Sequence, residues 1–305
     1  MHKQTAAHQA RWGGFLFLAC TALGWGLNWP AMKVILRDWP PFFARGVTGL
    51  VSMLVLFAIA AACRERLEVP RKAWGALVFA AFTNVFAWMG FTTMSMTTLS
   101  ISEAALLVYT MPIWTTMLAW PVLGSRPKPR DMAGLVLGFA GLFILFSGHP
   151  LGFGSGKVVG IALALAAAIL FALGSLLISR SLPVSPISFV AWQMLLGCIP
   201  MVVIGLAFEH PADIGQLHAD SALALTYMTL VPMGSCYLTW YAAIRRLPAT
   251  TAAVGMLSVP VIGILSGALF VGESVGWREI SAVVLTLGGV ALALWKPKPA
   301  SEQGA

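Results

Sequence analysis

The chain has 305 residues, 59% of them hydrophobic and 10% charged, against roughly a quarter charged in an ordinary soluble domain. A mean hydropathy of +0.85 excludes a soluble protein with an oversized core, because the apolar residues arrive in consecutive blocks near the ~20 that span a bilayer. The net charge of +8 is scattered through short hydrophilic links and forms no stripe interleaved with aromatics, which excludes a nucleic-acid module and leaves the basic residues as a topology signal.

Met1 to Trp12 is polar and basic, and the apolar run after it is full length without a small-residue cleavage site, so a retained first helix is expected. Apolar blocks between turn and charge signals then predict ten spans: 13–33, 41–62, 73–95, 101–123, 131–147, 158–179, 187–208, 221–244, 250–271 and 277–295. Helices are required because lipid-exposed backbone must satisfy itself and the runs lack the alternation of barrel strands. With the N-terminus inside, Lys3, Arg11, Arg64, Arg66, Arg71, Lys72, Arg126, Lys128, Arg130, Arg180, Arg245, Arg246, Lys296 and Lys298 fall in the cytoplasm. Lys33, Arg37, Lys157 and Arg278 fall on the other side, an asymmetry that places both termini in the cytoplasm. The Glu209–Asp220 link, which has no Lys or Arg, agrees as an outer loop. Cys20, Cys63, Cys198 and Cys236 stand singly in or beside apolar blocks and read as small packing residues.

The chain repeats itself weakly. An offset of 146 places Gly14, Ala22, Leu27, Leu36, Pro40 and Leu50 on Gly160, Ala168, Leu173, Leu182, Pro186 and Leu196. An offset of 148 places Ala104, Ala105, Pro112, Gly124, Arg130 and Gly141 on Ala252, Ala253, Pro260, Gly272, Arg278 and Gly289. The expected organisation is an all-α membrane protein of two repeats, 1–150 and 151–305. Five helices per repeat is an odd number, so the second repeat enters the bilayer inverted. Two such halves can exchange conformations around a midplane site, which points to alternating access and transport.

The segment AALLVYTMPIWTTMLAWPVLG from Ala104 and its partner AAVGMLSVPVIGILSGALFVGE from Ala252 resemble the paired signature helices of the drug/metabolite transporter superfamily, in particular its EamA-type members. Each is followed by a basic–acidic pair, Arg130–Asp131 or Arg278–Glu279, and a Gly-rich closing helix; WGLNW at Trp25 and the Arg45–Gly46 stretch extend the likeness. One departure is Ser125, which stands where the second half carries Glu273. The resemblance implies an exporter of metabolites, with amino acids, aromatic ones included, as the favoured cargo, in a bacterial inner membrane.

Arg45 and Glu103 are the two ionisable residues clearly inside spans, each about one turn from the outer side, and their repeat equivalents are Ala191 and Thr251. Each costs roughly 2.5–3.5 kcal/mol near a helix centre, so partners or a watery cavity are expected. Either they form a structural ion pair, or Arg45 receives a substrate carboxylate while Glu103 meets an ammonium or a proton, which suits a zwitterionic cargo. Asn28, Asn84 and Gln193 project amides from apolar spans and are candidates to line the cavity. Trp25, Trp88, Tyr109, Trp192, Tyr237, Trp240 and Tyr241 lie away from the helix ends where interfacial belts form and are further candidates. Pro112 and Pro260 interrupt corresponding helices as hinges or fixed kinks, and GLVLG at Gly134 and GILSG at Gly263 permit close packing against neighbours or a second protomer.

The five His residues fall in tails or loops and no Asp lies well inside a span, so no catalytic dyad, metal site, cofactor site or Walker sequence is expected. The rival readings are export of hydrophobic cationic drugs and, in another class, a membrane receptor or sensor without transport. Membrane lipid and a small solute are the expected partners, with a homodimer and a monomer both allowed.

Overall fold

The computed structural model describes the backbone of residues 2–147, 155–177, 185–209 and 217–294. Arg180, Lys296, Lys298, His149 and His210 lie outside these residues, as does most of the 209–220 link, and the side chains of Lys3 and Arg11 are also outside those described. Every regular element among the described residues is helical.

The first apolar block is divided. Helix α1 (His2–Gly26) passes into α2 (Asn28–Ile35) at Leu27, where Pro30 has no N–H to return to the Gly26 carbonyl. Helix α3 (Pro41–Ala62) starts on a proline, whose missing donor costs nothing at a helix N-terminus. The third block runs through α4 (Trp74–Ala81), a wide π-helical stretch at Phe82–Phe91, and α5 (Thr92–Ser95). The fourth is broken at Tyr109–Thr110 between α6 (Ile101–Val108) and α7 (Met111–Leu123). Pro112 enters α7 at its second position and leaves the Val108 carbonyl without a helical partner. Helix α8 (Pro129–Phe146) closes this half.

The second half comprises α9 (Ser155–Leu177), α10 (Pro186–Phe208), α11 (Ala219–Leu230), a π-helical turn at Val231–Ser235, and α12 (Cys236–Ile244). The next block breaks at Met256–Leu257 between α13 (Ala249–Gly255) and α14 (Ser258–Val271), and α15 (Trp277–Leu294) ends the described chain. Gly124 and Gly272, at φ 72° and 78°, end α7 and α14 in the left-handed conformation that favours glycine.

Among the described residues, eight segments are long and apolar enough to cross a bilayer, namely 12–35, 41–62, 71–95, 101–123, 129–146, 156–177, 187–208 and 219–244. The remaining two expected spans correspond to the shorter apolar helix Ser258–Val271, shortened by the break before it, and to Trp277–Leu294.

Helix α3 lies along α10 and α8 lies along α15, while α1 packs on α12 and α14, and α9 packs on the Phe82–Phe91 stretch and α7. Backbones meet directly in these seams. A methyl group on Gly205 would sit 2.7 Å from the Phe43 nitrogen, and one on Gly289 would sit 2.5 Å from the Gly134 carbonyl oxygen. GLVLG therefore serves the α8–α15 seam, whereas Gly263 of GILSG receives the Trp29 ring. The α3–α10 pair is also capped reciprocally. Glu209, at the end of α10, accepts from the N–H groups of Phe42 and Phe43, and Ser185, at the start of α10, donates to Glu65 beyond the end of α3.

Candidate functional site

The helix breaks and π-helical stretches surround one cavity of about 420 Å³, within the roughly 300–1,000 Å³ typical of small-molecule sites. The α1–α2 junction contributes Trp25, Asn28, Trp29 and Met32, and α3 contributes Arg45. The third block supplies Asn84, Trp88, Met89, Thr92, Thr93 and Met96; the α6–α7 break supplies Tyr109, Met111 and Pro112. From the second half come Phe171, Pro232, Met233, Tyr237, Trp240, Met256 and Leu257. Broken helices belong here because irregular backbone is tolerated at membrane depth only where protein or a cavity covers it.

The walls are mostly aromatic. The Trp25 indole N–H donates to the Pro232 carbonyl at 2.9 Å, and its ring meets Tyr237 edge-on at 5.8 Å and Trp240 at 6.2 Å. Trp88 packs on Phe171 at 4.4 Å, and Trp29 lies 6.4 Å from Tyr109. Tyr227 donates to the Gly24 carbonyl behind this wall.

Arg45 is the one charged side chain among the lining residues. It is 5% exposed, its Nε has no hydrogen-bond partner, and Nη1 reaches Asn28 Oδ1 only at 3.5 Å. No carboxylate among the described residues pairs with it. The Thr92 hydroxyl is buried without a partner in the same lining, and Asn84 Oδ1 accepts from Thr83.

At one end of the bundle the residues around the start of α6 are densely packed. Met32, Met96, Ile101 and Ile264 form a buried apolar layer, and four charged side chains bind the chain around the start of α6. Lys33 donates to the Met96 and Leu99 carbonyls at 2.7 and 2.8 Å, taking up orphan acceptors after α5. Glu273 accepts from the Ile101 N–H at the start of α6. Glu103 accepts from the Ser100 N–H in a capping box and pairs with Lys157 at 2.7 Å. Outside this layer the 36–40 loop is clasped to the start of α11. His218 donates its backbone N–H to Asp38 and pairs with it through Nδ1, both at 2.8 Å. Hydrogen bonds from Ser221 and His218 lower the Asp38 pKa to about 2, and the Asp38 carboxylate raises that of His218.

The structure thus brings Trp25, Asn28, Arg45, Asn84, Trp88, Tyr109, Tyr237 and Trp240 into one lining, and both Pro112 and Pro260 sit just after helix breaks. It places three expected residues elsewhere. Glu103 is not in the lining, and its carboxylate serves the capping box and Lys157. Trp192 donates to the Leu67 carbonyl and packs against Phe57 and Trp74, so it anchors the 63–70 loop. Gln193 is buried in α10 outside the lining. The side chain of Tyr241 lies outside those described. Sequence reasoning missed Thr92, Phe171, Pro232, Met233 and Met256 as part of this lining; of these only Pro232, a proline within a span, carried a signal for irregular backbone.

The description "EamA-like transporter family" matches this chain twice, over residues 12–147 and 158–295. The chain is 24% identical to the "Uncharacterized transporter YoaV" of Bacillus subtilis, over 90% of its own length and 94% of that protein's. It is 27% identical to a "Probable amino-acid metabolite efflux pump" of Salmonella typhimurium, over 92% of this chain and 94% of that one. A pump of the same description from Escherichia coli is also 27% identical, over 87% and 89%. One crystal structure superposes at a TM-score of 0.65 with 23% identity, covering 94% of this chain and 96% of its own, a likeness of fold alone.

Proposed function

The chain belongs to the EamA-like transporter family, and on that premise we propose that it is a secondary transporter exporting amino acids or similar small metabolites across a bacterial inner membrane. The observation that carries this reading is the cavity, lined from both halves at their broken helices; in this reading the Lys33, Glu103, Lys157 and Glu273 side chains around the start of α6 close one end of it.

Ten spans in two inverted repeats, 1–150 and 151–305, give the cavity its mechanism. The packing supports that plan. Exchanging the halves carries the α1–α12 contact onto the contact between α9 and the Phe82–Phe91 stretch, and carries the α3–α10 and α8–α15 seams onto themselves. With both termini in the cytoplasm, the closed end faces outward. Rocking one set of helices against the other would release that cluster and close the opposite end, which is alternating access. Pro112 and Pro260 are the proposed hinges. Export of cationic drugs fits less well, because Arg45 is the charge in the lining and no carboxylate stands there to receive a cation.

Efflux of labelled amino acids from liposomes holding the purified chain tests the reading. Saturable efflux above protein-free liposomes is expected for at least one amino acid. No efflux for any member of the panel would favour a receptor or a different cargo.

A further inference from the structure

The lining of the cavity has an unbalanced charge. Arg45 is buried, its Nε has no partner, and among the described residues no acid pairs with it. The nearest acid to expect in this role, Glu103, is engaged by Lys157 and the Ser100 N–H. A guanidinium held this way presents its donors to a carboxylate in a fixed fork. Beside it, the Asn28 amide and the unpartnered Thr92 hydroxyl offer further polar groups. The remaining surface is aromatic and thioether, suited to a flat apolar body.

Resting on the export reading above, we infer that the cavity selects a monocarboxylate anion with an aromatic body over the amino acid of the same skeleton. The two differ by one charge. A monoanion brings the lining to neutrality when its carboxylate meets Arg45. A zwitterion also places its carboxylate on Arg45 but leaves the lining with one excess positive charge, an ammonium in an apolar cavity that holds no carboxylate, where uncharged oxygens and ring faces receive it. An amine without a carboxylate meets Arg45 as a like charge and binds least. A hydroxyl in place of the ammonium carries no such penalty and can use Thr92 or Asn28.

Three probes of one skeleton separate these cases: 3-phenyllactate, phenylalanine and phenethylamine, titrated against the purified full chain in nanodiscs at neutral pH. The expected order is phenyllactate tightest, phenylalanine weaker by about tenfold or more, and phenethylamine weakest. Arg45→Ala is expected to remove the advantage of phenyllactate, and Arg45→Lys to keep part of it. Because the parent protein alone reports the order, the test survives a variant that fails to fold. Phenylalanine binding as tightly as phenyllactate, or more tightly, would overturn the inference while leaving amino-acid export standing. Failure of all three probes to bind would also overturn it, and amino-acid efflux from liposomes decides separately whether the export reading falls too.

Discussion

In the proposed two-repeat plan the two ends of the helix bundle are made from corresponding residues, and they use different chemistry. Where α6 begins, Glu103 caps the helix and pairs with Lys157, Glu273 accepts from the Ile101 N–H, and Lys33 donates to the Met96 and Leu99 carbonyls. Where α13 begins, Thr251 and Ser125 occupy the positions that correspond to Glu103 and Glu273. The shared scaffold, with paired helix breaks and paired left-handed glycines, supplies two similar shapes. The carboxylates supply a difference in energy between them. A pseudo-symmetric transporter whose ends were chemically alike would hold both states equally, so in this account the charges bias the protein toward closure at the α6 end.

The largest expected effect comes from Glu273→Ala. It removes the acceptor for the Ile101 N–H and a carboxylate near Lys33, and should cost the closed end about 2 kcal/mol, or about thirtyfold in population. A Cys placed at Met32, which is 2% exposed, reports this in a background with the four native cysteines replaced. Its reaction with an impermeant maleimide from outside should accelerate, and unchanged labelling would show that the cluster does not hold that end. Glu103→Gln keeps the helix cap but loses the Lys157 pair, which is partly exposed, and should cost about 1 kcal/mol in the same assay. Ser125→Glu transplants a carboxylate to the other end, where a helix N-terminus favours negative charge by about 1 kcal/mol. It should also raise labelling at position 32, and a drop instead would break the proposed equivalence of the two ends.

The smallest effect concerns the exposed His218–Asp38 clasp. The raised pKa of His218 means its contribution is fully present below the ordinary histidine range and is lost as pH rises through the raised value. The lowered pKa of Asp38 makes its contribution present above the ordinary carboxylate range and lost as pH falls toward about 2. Thermal stability should therefore decline slightly on the alkaline side, and His218→Ala should flatten that part of the profile. An unchanged profile in the variant would assign the decline to another group.

The blocks were legible because hydropathy and punctuation agree. Pro41 opens α3, Gly124 and Gly272 close α7 and α14, and Pro112 and Pro260 mark the paired breaks. Polar and aromatic residues in apolar spans also pointed to much of the lining, since Asn28, Arg45 and Asn84 need a cavity or a partner. Glu103 was read as a charge in a span, although Ser100 three residues before it is the pattern of a capping box. Phe171, Met233 and Met256 were not legible, because an apolar side chain facing a cavity has the same composition as one facing lipid. The Phe82–Phe91 π-helical stretch has no proline to announce it. It came into view only with its packing on α9, where Gly174 lies against Thr83 and Asn84.

Counterflow tests the central claim most directly. Liposomes holding the purified chain are loaded with excess unlabelled solute, chosen from those that show efflux, and diluted into a trace of the labelled form. Alternating access predicts transient accumulation of label above its equilibrium level, because each binding site that returns inward carries label while exit is occupied by unlabelled solute. Label that rises only to equilibrium, or no faster than in protein-free liposomes, would contradict the account.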